Sequence, residues 1–310
     1  MKASTKRKLK SFFTIPTCIS LAVLLAILFI AIFAPKLAPY DPNEIDITAM
    51  LQKPSDTHVL GTDKDGRDLI SRLMVGSRIT IISAFSVVVI SAIIGIPYGL
   101  ISGYYGGWID QVLMRISDVL LSFPSLLLAF IFVAAFGRGI TNSVVALGIV
   151  YVPMLARLTR SLVLVEKNKV YVEAAHSIGY SDFHILAIEI LPNCISTLVV
   201  QMMLDIGYAI LDLAAMSFLG LGVQPPTADW GAMLEEGRIV ITSSPLVALA
   251  PGLMIIITVV ALNIFGEGVQ AYLDPSQRKL PNLRKFRRYV RIAHADLEAA
   301  RMLKAGEANA

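Results

Sequence analysis

Two aspartates stand inside a long apolar run, and their chemistry is that of binding rather than of catalysis. Asp205 and Asp212 are seven positions apart and therefore share one face of a helix, with Gln201 on the same side as Asp205. On insertion scales a carboxylate at the centre of a membrane helix costs about 2.5–3.5 kcal/mol, so both should face a helix bundle or a watery path. Two roles remain open: lining a path through the membrane, or pairing with a cation such as Arg115 or Arg157.

Motifs for catalysis or nucleotide binding are missing from the sequence. There is no Gly-x-x-x-x-Gly-Lys-Ser/Thr phosphate loop and no Gly-x-Gly-x-x-Gly, so we expect no ATP site of the usual kind. Cys18 and Cys194 form no Cys-x-x-Cys pair, which argues against a zinc site or a disulfide framework. His176 and His184 lie close in sequence without further ligands, which favours surface helix residues over a metal pair. We predict no catalytic residue, no metal and no cofactor.

The composition indicates a membrane protein. Hydrophobic residues make up 55% of the chain and charged residues only 16%, with a mean hydropathy of +0.69, whereas about a quarter of the residues in soluble domains are charged. Crossing a hydrocarbon core of about 30 Å takes about 20 apolar helical residues. Six stretches are long enough and predict an all-α membrane protein with six transmembrane helices: 11–35, 79–109, 119–137, 139–156, 190–222 and 239–266.

The basic residues orient these spans. The first apolar run is far longer than the core of about 7–15 residues of a cleaved secretory signal, so we interpret it as an uncleaved anchor. With the N-terminus in the cytoplasm, most of the 27 lysines and arginines fall on that side, as the positive-inside rule requires. Both termini are then cytoplasmic, and the net charge of +4 is accounted for without nucleic-acid binding. The predicted divisions are a basic N-terminus (1–16), a transmembrane domain (17–276) with an external segment (36–78) and a cytoplasmic loop (157–192), and a basic tail (277–310).

Three further patterns concern the stretch before the second span, the stretch after the fifth span, and the packing face of the second span. The apolar residues that follow Asp68 recur on one helical face, which predicts a short amphipathic helix on the outer surface ahead of the second span. The Gly- and Pro-rich stretch 220–226 separates the fifth span from a polar loop that contains Trp230 and Glu236. Three glycines at every fourth position of the second span share a face that allows close helix packing: Gly95, Gly99 and Gly103.

The polar, helix-prone segment 171–192 lies between the fourth and fifth spans. Its first part contains Glu173, Ala174 and Ala175, which are good helix formers. A glutamate near the start of a helix also suits the positive end of the helix dipole. Alanines keep the helix thin, so that it can enter a cleft on another protein.

The second part of this segment predicts a stop and a restart. Gly179 can adopt the left-handed conformation that ends a helix, and Ser181 or Asp182 can cap a second helix. That helix continues to Leu191, and Pro192 marks a bend into the fifth span. From spacing alone, a lever that contacts a partner and two helices that merely connect spans remain equally open.

The spacing Glu173-Ala174-Ala175, then Gly179, then Leu191-Pro192 resembles the EAA loop of permease subunits of ATP-binding-cassette importers. Other motifs look like one subfamily, the second permease subunit of dipeptide, oligopeptide and nickel importers (DppC/OppC-like). They run along nearly the whole membrane part: Leu60-Gly61-Thr62-Asp63 with Gly66-Arg67-Asp68 and Ser71-Arg72, Gly103-Tyr104-Tyr105-Gly106-Gly107, Ser217-Phe218-Leu219-Gly220-Leu221-Gly222 with Pro225-Pro226, Trp230-Gly231, and Leu273-Asp274-Pro275. The loop departs from the general pattern at Glu189, where many permeases, though not other members of this subfamily, have isoleucine.

The resemblance implies a type I importer permease fold in the bacterial cytoplasmic (inner) membrane. It implies a non-catalytic subunit that forms half of a translocation path for dipeptides or oligopeptides, with ATP hydrolysis in partner subunits. The implied partners are a second homologous permease subunit, two ABC ATPase subunits, an extracytoplasmic solute-binding protein and the lipid membrane. The residues that the resemblance assigns to ATPase coupling are Glu173, Ala174, Ala175, Gly179, Leu191 and Pro192.

Other functions remain to be weighed against this one. The same machinery could import nickel chelates or another small amide solute, because in such systems the binding protein does most of the selecting. A carrier driven by an ion gradient would use Asp205 and Asp212 as a proton relay, but it leaves the elaborate loop unexplained. An integral membrane enzyme ranks last, because no Ser-His-Asp order or metal cluster supports it.

Overall fold

Helices make up most of the computed structural model, which describes residues 14–273. The residues before Thr14 and the predicted basic tail at 277–310 lie outside the described part. A short 3₁₀ turn at Ile47–Ala49 falls in the connection between the first two helices. The helices of residues 14–273 confirm the predicted all-α class: α1 Ile15–Leu37, α2 Leu69–Tyr105, α3 Gly107–Leu121, α4 Ser125–Phe136, α5 Ile140–Glu166, α6 Val170–Ile178, α7 Asp182–Phe218, α8 Trp230–Ile239 and α9 Leu246–Leu273.

Five of these helices are long and apolar enough to cross a membrane, namely α1, α2, α5, α7 and α9. The pair of α3 and α4 meets the same criterion only together, and its two halves are bent by 88°. Pro124 lies at this bend and explains it, because proline lacks the backbone N–H and disfavours the helical conformation at Phe123. The predicted six spans are reached when the bent pair counts as one span, but the third span is broken rather than straight.

Helix α2 replaces two elements that the sequence predicted to be separate. Asp68 caps its start, where its carboxylate accepts a hydrogen bond from the Ser71 backbone N–H at 2.8 Å. The helix then continues to Tyr105, about 55 Å at 1.5 Å per residue, which exceeds the hydrocarbon thickness. The predicted amphipathic surface helix is therefore wrong. Leu69 and Arg72 are each only 1% exposed, because the first turns of α2 are covered by protein.

The three glycines of α2 face α5, as predicted. A Cβ atom added at Gly99 would lie 2.4 Å from the Ala156 carbonyl oxygen and 2.6 Å from the Thr159 Cβ. At Gly103 it would lie 2.8 Å from the Val163 Cβ. Both distances are far below van der Waals contact, so the close approach of α2 and α5 depends on hydrogen atoms at these positions.

Helix α8 occupies the stretch where the sequence predicted a polar loop. Asp229 caps it, because one carboxylate oxygen accepts from the backbone N–H groups of Gly231 and Ala232 at 3.1 and 3.2 Å. Burial raises the pKa of Asp229. Trp230 is fully buried, and its indole N–H donates to the Leu73 carbonyl of α2 at 3.0 Å. The loop prediction is wrong here, since a capped helix folds inward and packs between α7 and α9.

A buried network of opposite charges ties α8 to the start of α2. Arg67 and Arg72 are 2% and 1% exposed. Arg67 Nη2 lies 2.9 Å from Glu236 Oε2, and Arg72 Nη2 donates to the same oxygen at 3.2 Å. Arg67 Nε also donates to Asp63 Oδ2 at 2.7 Å. Since buried charges persist only when they are paired, this network fixes the connection before α2 onto α8.

Candidate functional site

Helix α6 ends at Gly179 in the way that the sequence predicted. Gly179 has φ +90° and ψ 22°, in the left-handed region. Its N–H donates to the His176 carbonyl at 2.9 Å, and the Tyr180 N–H donates to the Ala175 carbonyl at 3.2 Å. This pair of bonds is a Schellman motif. A Cβ added at Gly179 would meet no atom within 4 Å, so glycine is needed there for its backbone conformation alone.

The chain restarts immediately as a helix that continues through Pro192. The Ser181 hydroxyl accepts from the His184 backbone N–H at 3.4 Å, which caps the new helix. The turns from Ile185 to Ile190 are widened into a π-helix, in which the Leu191 N–H donates to the Leu186 carbonyl five residues earlier. Helix α7 therefore runs without a break from Asp182 to Phe218. The helix therefore does not break at Pro192, and the π-helical turns lie directly before this proline. The predicted bend stays a prediction.

One face of α6 is buried against three spans. Val172 and Ala175 are 2% and 5% exposed and belong to an apolar cluster with Ile185 and Ile190 of α7. Leu100 of α2 and two side chains of α5 complete the cluster, namely Leu155 and Val163. A rigid displacement of α6 must therefore move the ends of α2, α5 and α7, since close-packed interiors transmit strain.

Hydrogen bonds reinforce this apolar contact. The Tyr104 hydroxyl donates to Asp182 Oδ1 at 2.9 Å and lies 3.1 Å from His176 Nε2. At the other end of α6, the Tyr171 hydroxyl donates to Glu166 at 2.8 Å. Burial and this hydrogen bond raise the pKa of Tyr171 to about 12, so its hydroxyl keeps the proton that it donates.

The opposite face of α6 is open. Glu173 and Ala174 are exposed, and the Glu173 carboxylate makes no hydrogen bond or ion pair with any residue of the described range 14–273. Large apolar side chains are also exposed around it, with Val170 79%, Ile178 71% and Phe183 80% exposed. We call residues 170–183 the coupling segment. Its outer face combines exposed apolar side chains with a free carboxylate, a composition typical of an interaction site.

The six residues assigned to coupling therefore separate by position. Glu173 and Ala174 point outward, Ala175 is packed inward, and Gly179 ends α6. Leu191 is half-buried beside the apolar cluster, and Pro192 next to it is exposed. These last two positions lie on α7 beyond the coupling segment.

Asp205 and Asp212 line a cavity of about 290 Å³ where the break between α3 and α4 meets α5 and α7. Asp205 is 6% exposed, and one of its oxygens accepts from Gln201 Nε2 at 2.8 Å. Asp212 accepts from the Tyr151 hydroxyl of α5 at 2.8 Å. Within residues 14–273, neither aspartate forms an ion pair. Arg157, one of the two cations considered for them, pairs with Asp118 instead.

Sequence reasoning missed most of the lining of this cavity. Tyr151 lies on α5, far from the aspartates in sequence, and Tyr208 lies close to Asp205 in sequence. Neither tyrosine stands in a recognisable motif. Pro124 gave only a partial signal, because a proline in an apolar run can break a helix, whereas Pro97, Pro153 and Pro251 lie inside continuous helices.

Comparison with known proteins places this geometry in a family. Residues 95–279 match the model of the binding-protein-dependent transport system inner membrane component. Residues 18–54 match the N-terminal TM domain of oligopeptide transport permease C. The chain belongs to this permease family.

Similar proteins cover nearly the whole permease. It is 44% identical to the glutathione transport system permease protein GsiD of Pectobacterium atrosepticum, over 81% of this chain and 84% of that protein. It is 43% identical to the probable D,D-dipeptide transport system permease protein DdpC of Escherichia coli, over 84% and 87%. The di/tripeptide transport system permease protein DppC of Pseudomonas aeruginosa is 44% identical, over 82% and 86%.

The permease also shares its fold with a solved importer. The MetNI methionine ABC transporter, in inward-facing conformations, aligns with a TM-score of 0.54 at 17% identity, over 66% of this chain and 98% of that one. This likeness confirms the type I ABC permease fold, and the family confirms a multi-pass protein of the inner membrane. The permease is thus a subunit of an ABC importer, a transport component of a system that also comprises an ATPase and a binding protein.

Proposed function

We propose that this permease imports dipeptides or oligopeptides, with ATP hydrolysed by separate subunits that push on the coupling segment. The relatives named for dipeptide, di/tripeptide and glutathione transport support a peptide cargo. One observation supports the mechanism above all. The coupling segment is exposed on one face, while its other face is packed into the ends of α2, α5 and α7.

The coupling residues have two kinds of role: some contact the ATPase, and others hold α6 in position. Glu173 and Ala174 contact the ATPase, because they are exposed and lie next to exposed apolar side chains. Ala175 and Gly179 hold α6 in place, one by packing inward and one by ending the helix. Leu191 and Pro192 lie within α7, whose unbroken course from Asp182 carries the motion into the membrane.

The path residues follow from the cavity. Asp205 and Asp212 face the space beside the broken span, and Gln201 donates a hydrogen bond to Asp205. We propose that these three residues line the translocation path. Carboxylates are tolerated at membrane depth when they face a watery path. The absence of an ion pair for either aspartate within residues 14–273 favours this role over structural pairing.

The proposed assembly has two homologous permease subunits around a shared path, two ABC ATPases beneath, and an external solute-binding protein. In it both termini are cytoplasmic, the connection at 36–78 is external, and the loop at 157–192 is cytoplasmic. The N-terminus at 1–16 and the tail at 277–310 flank a transmembrane permease domain at 17–276. This chain then contributes half of the path and hydrolyses no ATP itself.

Cysteine cross-linking in the assembled complex tests the contact. Cys18 and Cys194 are first replaced, by serine and alanine. Ala174→Cys, on the exposed face, should then cross-link to an ATPase subunit, whereas Val172→Cys, on the buried face two positions away, should not. Ser243→Cys, exposed after α8, serves as the control at the other end of the bundle. A cross-link from Ser243→Cys and none from Ala174→Cys would contradict the proposal.

A further inference from the structure

The cavity beside Asp205 has the chemistry of a cation site, and no basic side chain of residues 14–273 forms an ion pair with its aspartates. It lies at the break of the α3–α4 span, between α5 and α7, and encloses about 290 Å³. Irregular backbone at membrane depth is tolerated only where it is buried in protein or lines a water-filled space. The break therefore indicates that this cavity holds water or a solute rather than lipid.

One oxygen of Asp205 lacks a partner. The residue is only 6% exposed. Its single side-chain hydrogen bond within residues 14–273 is the one that Gln201 Nε2 donates to Oδ1. Oδ2 has no donor in that range, although Asp205 lines the cavity. Because this oxygen is not one of the fully buried unpartnered atoms of the structure, it is accessible from the cavity and can accept a hydrogen bond from a ligand or from water.

The remaining lining suits an ammonium group. Asp212 supplies a second carboxylate, with one oxygen engaged by the Tyr151 hydroxyl. Tyr208 and Phe123 add aromatic rings, which attract cations through the faces of their π-systems. Carboxylates together with aromatic rings are the usual surroundings of a bound amine, whereas a metal ion prefers a larger set of oxygen, nitrogen or sulfur ligands.

Nearby positive charge does not cancel the negative potential that the two carboxylates create in the cavity. Helix α4 begins at the cavity with Ser125, and a helix N-terminus carries about half a positive charge against two carboxylates. Arg157, one of the two basic residues considered for these aspartates, is engaged by Asp118. Three lining side chains are partly exposed, namely Met154 (62%), Tyr208 (59%) and Phe123 (50%).

We propose that this cavity is a subsite for the protonated amino group of the cargo, which binds Asp205 beside Tyr208, while Asp212 adds a second negative charge to the same cavity. The inference rests on the proposed import of peptides, whose free N-terminus is such a group. The subsite selects by charge within the membrane, separately from the selection made by the binding protein.

Charged thiol reagents measure the field of the cavity without relying on the binding protein. The probe position is Met154→Cys in the assembled complex, with Cys18 and Cys194 replaced as above. Aminoethyl methanethiosulfonate is cationic, and its sulfonatoethyl counterpart is anionic and similar in size. Rates at Ser243→Cys, which is exposed outside the spans, normalise the intrinsic reactivity of the two reagents.

The normalised rate should favour the cationic reagent by about tenfold or more, because nearby carboxylates attract it and repel the anion. Adding Asp205→Asn and Asp212→Asn should bring the two rates within about twofold of each other. Asp205→Glu keeps the charge and should keep the preference, which shows that the cavity survives substitution. A probe that reacts with neither reagent, or a preference that persists without both aspartates, overturns the proposal.

Uptake of dialanine by the reconstituted complex links the field to the cargo. The double asparagine variant should lower the amount of dialanine taken up per ATP hydrolysed, and Asp205→Glu should retain it. Equal uptake by the variant and the unaltered complex overturns the subsite alone. Failure of the unaltered complex to take up dialanine with ATP overturns the proposed function instead.

Discussion

The hydroxyl of Tyr104, at the end of α2, donates a 2.9 Å hydrogen bond to the carboxylate of Asp182, at the start of α7. The same hydroxyl lies 3.1 Å from Nε2 of His176 in α6, and the two rings are stacked. One side chain of the second span therefore contacts both halves of the coupling segment. Its neighbour Gly103 is fixed as well, because the Lys167 ammonium group donates to the Gly103 carbonyl at 2.8 Å.

Tyr104→Phe should weaken the transfer of motion from the ATPase to the membrane helices. The change removes one hydrogen bond worth about 1 kcal/mol and leaves the ring contact with His176. We expect the ratio of cargo-stimulated to basal ATP hydrolysis to fall about fivefold, with basal hydrolysis unaltered. Tyr105→Phe is the matched control, since the Tyr105 hydroxyl makes no hydrogen bond within residues 14–273. Equal ratios for the two variants would rule out a positioning role for Tyr104.

Gly179→Val should uncouple the complex without preventing membrane insertion. The substitution meets no atom within 4 Å, so its effect is confined to the left-handed backbone at φ +90°. A β-branched residue there costs about 1–2 kcal/mol, which depopulates the native end of α6 about 5- to 30-fold. Loss of cargo-stimulated ATP hydrolysis is the measurement.

Gly179→Asn provides the control for that experiment, because asparagine visits the left-handed region more readily than other non-glycine residues. It should retain most of the stimulation. If valine and asparagine behave alike, the backbone conformation at this position is not what coupling requires.

Gly99→Ala should destabilise the contact between α2 and α5. The new methyl group would lie 2.4 Å from the Ala156 carbonyl oxygen, and overpacking of this kind costs about 1–3 kcal/mol. We expect a lower midpoint of thermal unfolding in detergent. Gly207→Ala on α7 is the control, since its nearest neighbours would be 3.8 Å away. A midpoint that drops equally for both variants would contradict the close packing described for Gly99.

Glu236→Gln should destabilise the end of the bundle that contains α8. The substitution leaves Arg67 and Arg72 buried without their shared carboxylate, and breaking a buried pair costs about 3–5 kcal/mol. Glu235→Gln on the same helix is the control, because Glu235 forms no ion pair within residues 14–273. The measurement is again the midpoint of thermal unfolding. No difference between the two variants would mean that the network is dispensable.

The sequence predicted the spans and the stop at Gly179 because these follow from local rules. A run of apolar residues must be long enough to cross a bilayer, and a glycine can adopt the left-handed backbone wherever it stands. The broken third span could not be identified from Pro124 alone, because Pro97 and Pro153 stand in similar apolar runs whose helices continue. The coupling residues were predicted from a resemblance to a family, and the path residues from the presence of charges at membrane depth. Both assignments stay predictions.

The errors share one cause, which is contact between residues distant in sequence. In the sequence, Arg67 and Arg72 fit the polar side of a surface helix. Their partner Glu236 is far along the chain, so the buried pairing is visible only in the folded protein. Trp230 was assigned to a polar loop because the hydrogen bond from its indole N–H to the Leu73 carbonyl forms only in the folded bundle.

The most direct test of the account is dialanine uptake into proteoliposomes that contain the two permease subunits and receive loaded binding protein, with or without the ATPase subunits. Uphill uptake should require both the ATPases and ATP, and a pH gradient across ATPase-free vesicles should drive none. Uphill uptake in those ATPase-free vesicles would contradict the claim that this chain is moved through its coupling segment by a partner that hydrolyses ATP.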